Sequence, residues 1–188
     1  MVLAIDPTLV RGLRRQEYEK LAELGAFGDE RVELLYGMVV KLSPKGPPHE
    51  SASQRINRLF VRAFEGRAST RIQAPFAASD GSMPEPDLAL VPLGDYADAH
   101  PSVAYVVVEI SHSSLSLDRG TKAKLYAECG VPEYWIVNLV DDLIEVYTDS
   151  VRGAYARVTP VRRGERIRPG SFADTEILVD DVLPPRPA

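Results

Sequence analysis

The sequence predicts an α/β (α+β) chain, a mixed β-sheet flanked by helices. Three observations predict it. Residues 49–64 and 119–129 carry apolar side chains at helical spacing. Residues 103–110 are apolar on both faces, as a central strand covered on each side must be. Two short runs, 133–138 and 143–148, are β-branched and aromatic, and an acidic turn at Asp141-Asp142 joins them as an antiparallel pair.

The remaining elements follow in order. Residues 1–12 read as a loose lead-in. A helix is predicted over 13–24, with Tyr18, Leu21 and Leu24 on one face and Gly25 ending it. Residues 31–42 read as a hairpin turning near Tyr36-Gly37, and 43–48 as a Pro-rich loop. In the helix over 49–64, Ile56, Leu59, Phe60 and Ala63 form the apolar face. Strands are predicted at 70–77 and 85–91, around a turn at 79–82. Asp118 is placed to cap the helix over 119–129, which Gly130 and Pro132 stop. Beyond residue 150 the chain is turn-rich, with short strands near 154–159 and 176–179 and a frayed tail at 184–187. With 188 residues and no internal repeat, one domain is expected.

Composition excludes several classes. Hydrophobic residues are 45% and charged residues 26%, as in an ordinary globular protein. No apolar run approaches the roughly 20 residues of a membrane span, and the start of the chain is too short and too early acidic for a signal peptide. Cys129 is alone and the histidines at 49, 100 and 112 are scattered, so neither a disulfide nor a zinc spacing is present. The expected compartment is the cytoplasm. A net charge of −5 argues against binding nucleic acid by bulk charge, though not against a local basic groove.

Two carboxylates carry the chemistry. Asp87 and Glu109 both lie in stretches that read as core strands, where a charge is costly unless paired or bound to metal. Each alone has a bland reading: Asp87 as a turn acid after proline, Glu109 as the partner of an arginine. The next helix adds a third group. At 100° per residue Lys122, Leu125, Tyr126 and Cys129 share the stripe that must face the sheet, while Lys124 lies about 200° away toward water. A snorkelling lysine is the alternative for Lys122. Two acids with a lysine suit a hard divalent cation, which takes oxygen ligands and polarises a phosphate. The lysine would orient water or stabilise charge in the transition state.

Pro86-Asp87 followed by Val108-Glu109-Ile110-Ser111 resembles the PD-(D/E)XK nuclease core. More narrowly, the chain resembles the Uma family of restriction-endonuclease-like proteins, through residues 31–37, the Pro47-Pro48-His49 helix start, Asp118 to Lys122 to Tyr126, and the string 130–137. The resemblance implies a restriction-endonuclease-like fold and a Mg²⁺ or Mn²⁺ ion held by Asp87, Glu109 and the Ile110 carbonyl. It also brings in Glu33 and His49 as pocket residues. Glu33 would be an acid behind the ligands or in contact with the ion's water. His49 would contact phosphate or carry a proton, or else only cap its helix. The superfamily's usual lysine position is Ser111 here, so the lysine has moved to Lys122. Ser111 is then a water-positioning hydroxyl or simply a strand-end residue.

Arg55, Arg58 and Arg62 form a basic stripe opposite the apolar face of their helix, able to track a DNA backbone or merely to be solvated. Arg162, Arg163, Arg166 and Arg168 form a second cluster with the same ambiguity. The function expected is Mg²⁺-dependent cleavage of DNA by a homodimer. The alternative is a non-catalytic nucleic-acid- or protein-binding module on the same fold. A serine hydrolase built on residues 111–114 is a poor third reading, since no Gly-x-Ser-x-Gly elbow is present and adjacent residues of an extended chain point in opposite directions.

Overall fold

The computed structural model describes residues 9–186. Residues 1–8 of the expected lead-in and Pro187 of the expected tail lie outside the described residues. Helix α1 (Arg15–Glu23) is shorter than predicted, and only Tyr18 of its stripe is buried, while Leu24 is exposed. Strands β1 (Val32–Leu35) and β2 (Met38–Lys41) form the expected hairpin. Its turn needs Gly37: φ is +79°, and a Cβ there would come 2.7 Å from the Cα of Gly12.

Helix α2 (Pro47–Ala63) starts two residues early, because proline suits the first helical positions. Strands β3 (Ser69–Ile72), β4 (Leu88–Val91) and β5 (Val106–Ser111) follow. β3 stops short of the predicted strand because Gln73 turns to φ +45°. β4 starts late because Pro86 has no N–H for a ladder. A helical segment then runs through α3 (Leu115–Leu117), a π turn (Asp118–Lys122) and α4 (Ala123–Glu128). The expected cap at Asp118 is corrected here: helix begins at Leu115, and Asp118 opens the π turn instead.

Strands β6 (Tyr134–Asn138), β7 (Leu143–Val151) and β8 (Ala154–Arg162) complete the sheet in the order β3-β4-β5-β6-β7-β8. Only β5 and β6 are parallel, joined over the helical segment as a parallel pair requires. A small pair, β9 (Arg166–Ile167) and β10 (Ile177–Leu178), and helix α5 (Val179–Val182) close the chain.

The sheet is covered on both faces. Ala52, Ile56, Phe60 and Phe64 pack on Leu88, Leu90, Val106, Val108 and Trp135 on one side. Ala123 and Tyr126 pack on Ala89, Val107, Tyr134 and Ile136 on the other. Phe60 meets Trp135 edge-on, with ring centroids 5.5 Å apart. Phe60→Ala is expected to cost about 3–5 kcal/mol, the usual penalty for emptying a buried aromatic site. Urea denaturation measures it, and a loss under 1 kcal/mol would show the site can collapse. The run 130–137 is explained by these contacts. Gly130 (φ +79°) ends α4, and Tyr134 and Trp135 fill opposite cores. Glu133 accepts the Trp135 indole N–H at 2.6 Å and the Gly170 N–H at 2.7 Å.

Candidate active site

In β5, Val107, Glu109 and Ser111 point to the α4 side, since side chains alternate along a strand and Val107 packs with Tyr126. Glu109 therefore meets the helix that crosses back from β5 to β6. Lys122 ends the π turn, a local widening often found at functional sites. Arg119, on the outer side of that turn, pairs with Glu145 of β7 at 2.5 Å and ties the turn to the sheet. Lys122 is buried, whereas Lys124 is exposed and pairs with Glu128.

The Lys122 ammonium lies 3.0 Å from Glu109 Oε1 and 3.1 Å from Glu33 Oε1. Glu33 comes from β1, and its Oε2 accepts the Glu85 N–H at 3.0 Å. Its Oε1 is buried and makes no aligned hydrogen bond, so it faces the ammonium as a bare charge. Tyr126 donates its hydroxyl to Glu109 Oε1 at 2.8 Å. Burial pushes the Glu109 carboxyl well above the usual range; Lys122 opposes this, and Asp118, Asp87 and Glu33 add to it. Burial also works against the Lys122 charge, but Glu109, Glu33 and Asp118 outweigh it and hold the ammonium above the ordinary lysine value.

Asp87 directly precedes β4. Its Oδ2 accepts the Ile110 N–H at 2.8 Å and contacts His49 Nε2 at 3.0 Å. The carboxylate can only accept, so Nε2 carries the imidazole proton. Its Oδ1 accepts Lys45 Nζ at 2.9 Å. Burial would raise the Asp87 carboxyl, but His49 and Lys45 hold it below the ordinary aspartate value. In a strand the N–H and C=O of one residue point to the same side. The Ile110 carbonyl therefore also faces the β4 edge, beyond the last pair, Leu88 with Val108.

Glu33, Asp87, Glu109, Ile110, Lys122 and His49 line one cleft of about 280 Å³. Ser111 does not line it. Its hydroxyl donates to Asp118 Oδ2 at 2.6 Å, as does that of Ser114. Ser111 thus ties the end of β5 to the helical segment. In the basic stripe, Arg55 donates to the Asp180 and Asp181 carbonyls and holds α5 to α2. Arg58 and Arg62 remain exposed, farther along α2 from the cleft. In the second cluster, Arg163 pairs with Asp142 and Asp180, and Arg166 and Arg168 pair with Glu176.

Two residues of the site escape sequence reasoning. Lys45 lies in a Pro-rich loop with no period to aim it. Asp118 reads as a helix cap, because serine hydroxyls reaching back to it leave no local pattern. Among the described residues, no three His, Cys, Asp or Glu side chains are placed to hold one ion together. The donors present are two carboxylates and a strand-end carbonyl. That all-oxygen set fits a cation such as Mg²⁺, which keeps several waters and takes one or two carboxylates.

A mixed sheet covered by helices on both faces, with an acid pair and a buried lysine at one strand end, defines a restriction-endonuclease-like α+β protein. Residues 15–180 match the Uma2 family, described as "Putative restriction endonuclease", and the chain belongs to that family. The fold resembles the crystal structure of a "putative nuclease" from Anabaena variabilis, with a TM-score of 0.72 at 15% identity. That match covers 90% of this chain and 97% of the other. Comparison with curated proteins returns no match.

Proposed function

We propose that this protein is a Mg²⁺- or Mn²⁺-dependent nuclease that hydrolyses DNA phosphodiester bonds. One observation carries the reading: a buried lysine held between two acids, in the same cleft as Asp87 and the free edge of β5. Family membership and the nuclease-like fold support it. Charge supports it too. Inside the cleft the acids Glu33, Asp87, Glu109 and Asp118 outnumber the lysines Lys45 and Lys122, while Glu85 and Lys41 at the rim pair outward with Arg31 and Glu30. An excess of acids over lysines in the cleft suits a cation.

In this reading Asp87, Glu109 and the Ile110 carbonyl hold the cation. When bound, it supplies positive charge that polarises the phosphate. The chain's own groups do the rest. The Ile110 N–H and His49 fix the Asp87 carboxylate, and Tyr126 fixes Glu109. Lys122 donates toward the attacking water or toward the charge that develops on the phosphate oxygens. Water adds to phosphorus and one P–O ester bond breaks, leaving a phosphate monoester and a hydroxyl. The chain acts as one cytoplasmic domain, and as a homodimer it would present two sites to two strands. Among the described residues no helix is long and apolar enough to cross a membrane.

Plasmid nicking in Mg²⁺ and in Mn²⁺ tests this. Wild type is expected to nick, and Asp87→Asn is expected to be inactive. Equal nicking by both would mark a contaminant and sink the reading. DNA binding by wild type without nicking would favour the non-catalytic module.

A further inference from the structure

We propose that Lys45 is an exchangeable counter-ion of Asp87: it neutralises this acid until a divalent cation takes the same oxygen, and its freed ammonium then contacts a nucleic-acid phosphate. The inference rests on the nuclease reading and assigns a role to a residue that reading counts only as a charge.

Asp87 holds three donors of different mobility. The Ile110 N–H is fixed by β5, and the His49 ring sits in the first turn of α2. Both act on Oδ2. Lys45 alone takes Oδ1, at 2.9 Å. It does so from the irregular loop between β2 and α2, on a flexible four-carbon stem. Oδ1 is thus the oxygen a cation can gain without breaking the fold. A cation on that oxygen would stand in contact with the ammonium, and like charges at that range exclude one another. The Lys45 side chain is 15% exposed, so a path outward exists. Ser43 lines the mouth of the cleft beside it, above an acidic floor, and Lys41 at the rim is held outward by Glu30. An ammonium leaving Asp87 enters that mouth, where a phosphate approaching the cation would meet it.

The test compares wild type, Lys45→Met and, as a control, Lys41→Met, whose lysine pairs with Glu30. Circular dichroism checks that each is folded. In calorimetric titration Lys45→Met is expected to bind Mn²⁺ about tenfold more tightly than wild type, and Lys41→Met to match wild type. In fluorescence anisotropy with a duplex oligonucleotide and Ca²⁺, Lys45→Met is expected to lower the slope of log affinity against log salt by about one. A purely structural lysine would not move that slope. Equal Mn²⁺ affinity in wild type and Lys45→Met overturns this inference and leaves the metal reading standing. An unchanged salt slope also overturns it. No Mn²⁺ binding by either protein removes the metal reading and this inference together.

Discussion

Lys122→Met is expected to destabilise the protein by about 3–5 kcal/mol and to abolish cleavage, because it removes the one cation shared by two buried acids. Glu33 and Glu109 both lie on this ammonium, at 3.1 and 3.0 Å, and all three side chains are almost fully buried. Without it, two carboxylates face each other in a dry site, and one must take up a proton or draw in water. Chemical denaturation measures the loss. The double variant Glu33→Gln/Lys122→Met is expected to recover part of it, since it removes one of the stranded charges. A single variant within 1 kcal/mol of wild type would show that Lys122 is not the counter-ion of this cluster.

Glu109→Gln is expected to act the other way round, with a large functional loss and a small change in stability. The amide keeps an acceptor for the Tyr126 hydroxyl, and Lys122 keeps Glu33. Burial already disfavours the Glu109 charge, so a neutral isostere gives back some desolvation cost. The variant loses an anionic oxygen, however. Mn²⁺ affinity and nicking are expected to fall by more than about 100-fold, beyond the scale of changes to residues merely behind a metal ligand. Calorimetry and single-turnover nicking read the two quantities. Full Mn²⁺ affinity in Glu109→Gln would remove Glu109 from the ligand set.

Much of the fold is legible in the residues alone. Helical periods locate the two covering helices, and the doubly apolar run at 103–110 marks the central strand. Other elements are not legible. β8 is predicted as a short strand but extends over Ala154–Arg162 as a mostly exposed edge. An edge strand carries no alternation to read, so only its pairing with β7 reveals its length. β9 is missed for the same reason. It is two residues long and exists because it pairs with β10.

The site divides along the same line. The spacing of Lys122, Leu125 and Tyr126 turns that lysine inward, because one helix sets the direction of its own side chains. Asp87 and Glu109 stand out because a charge among core residues requires a partner. The partners were decided only by the tertiary structure. Glu33 reaches Lys122 from the first hairpin, Lys45 and His49 reach Asp87 from a loop and a helix start, and Arg55 is drawn to the Asp180 carbonyl of α5. Periodicity is a local property, set within one or two turns of helix or a few strand residues. An ion pair between residues 42 or 89 positions apart has no local signature. It is set by strand order and by how the loops cross the sheet edge. The sequence by itself therefore determined which buried charges needed partners; the folded chain decided which side chains supply them.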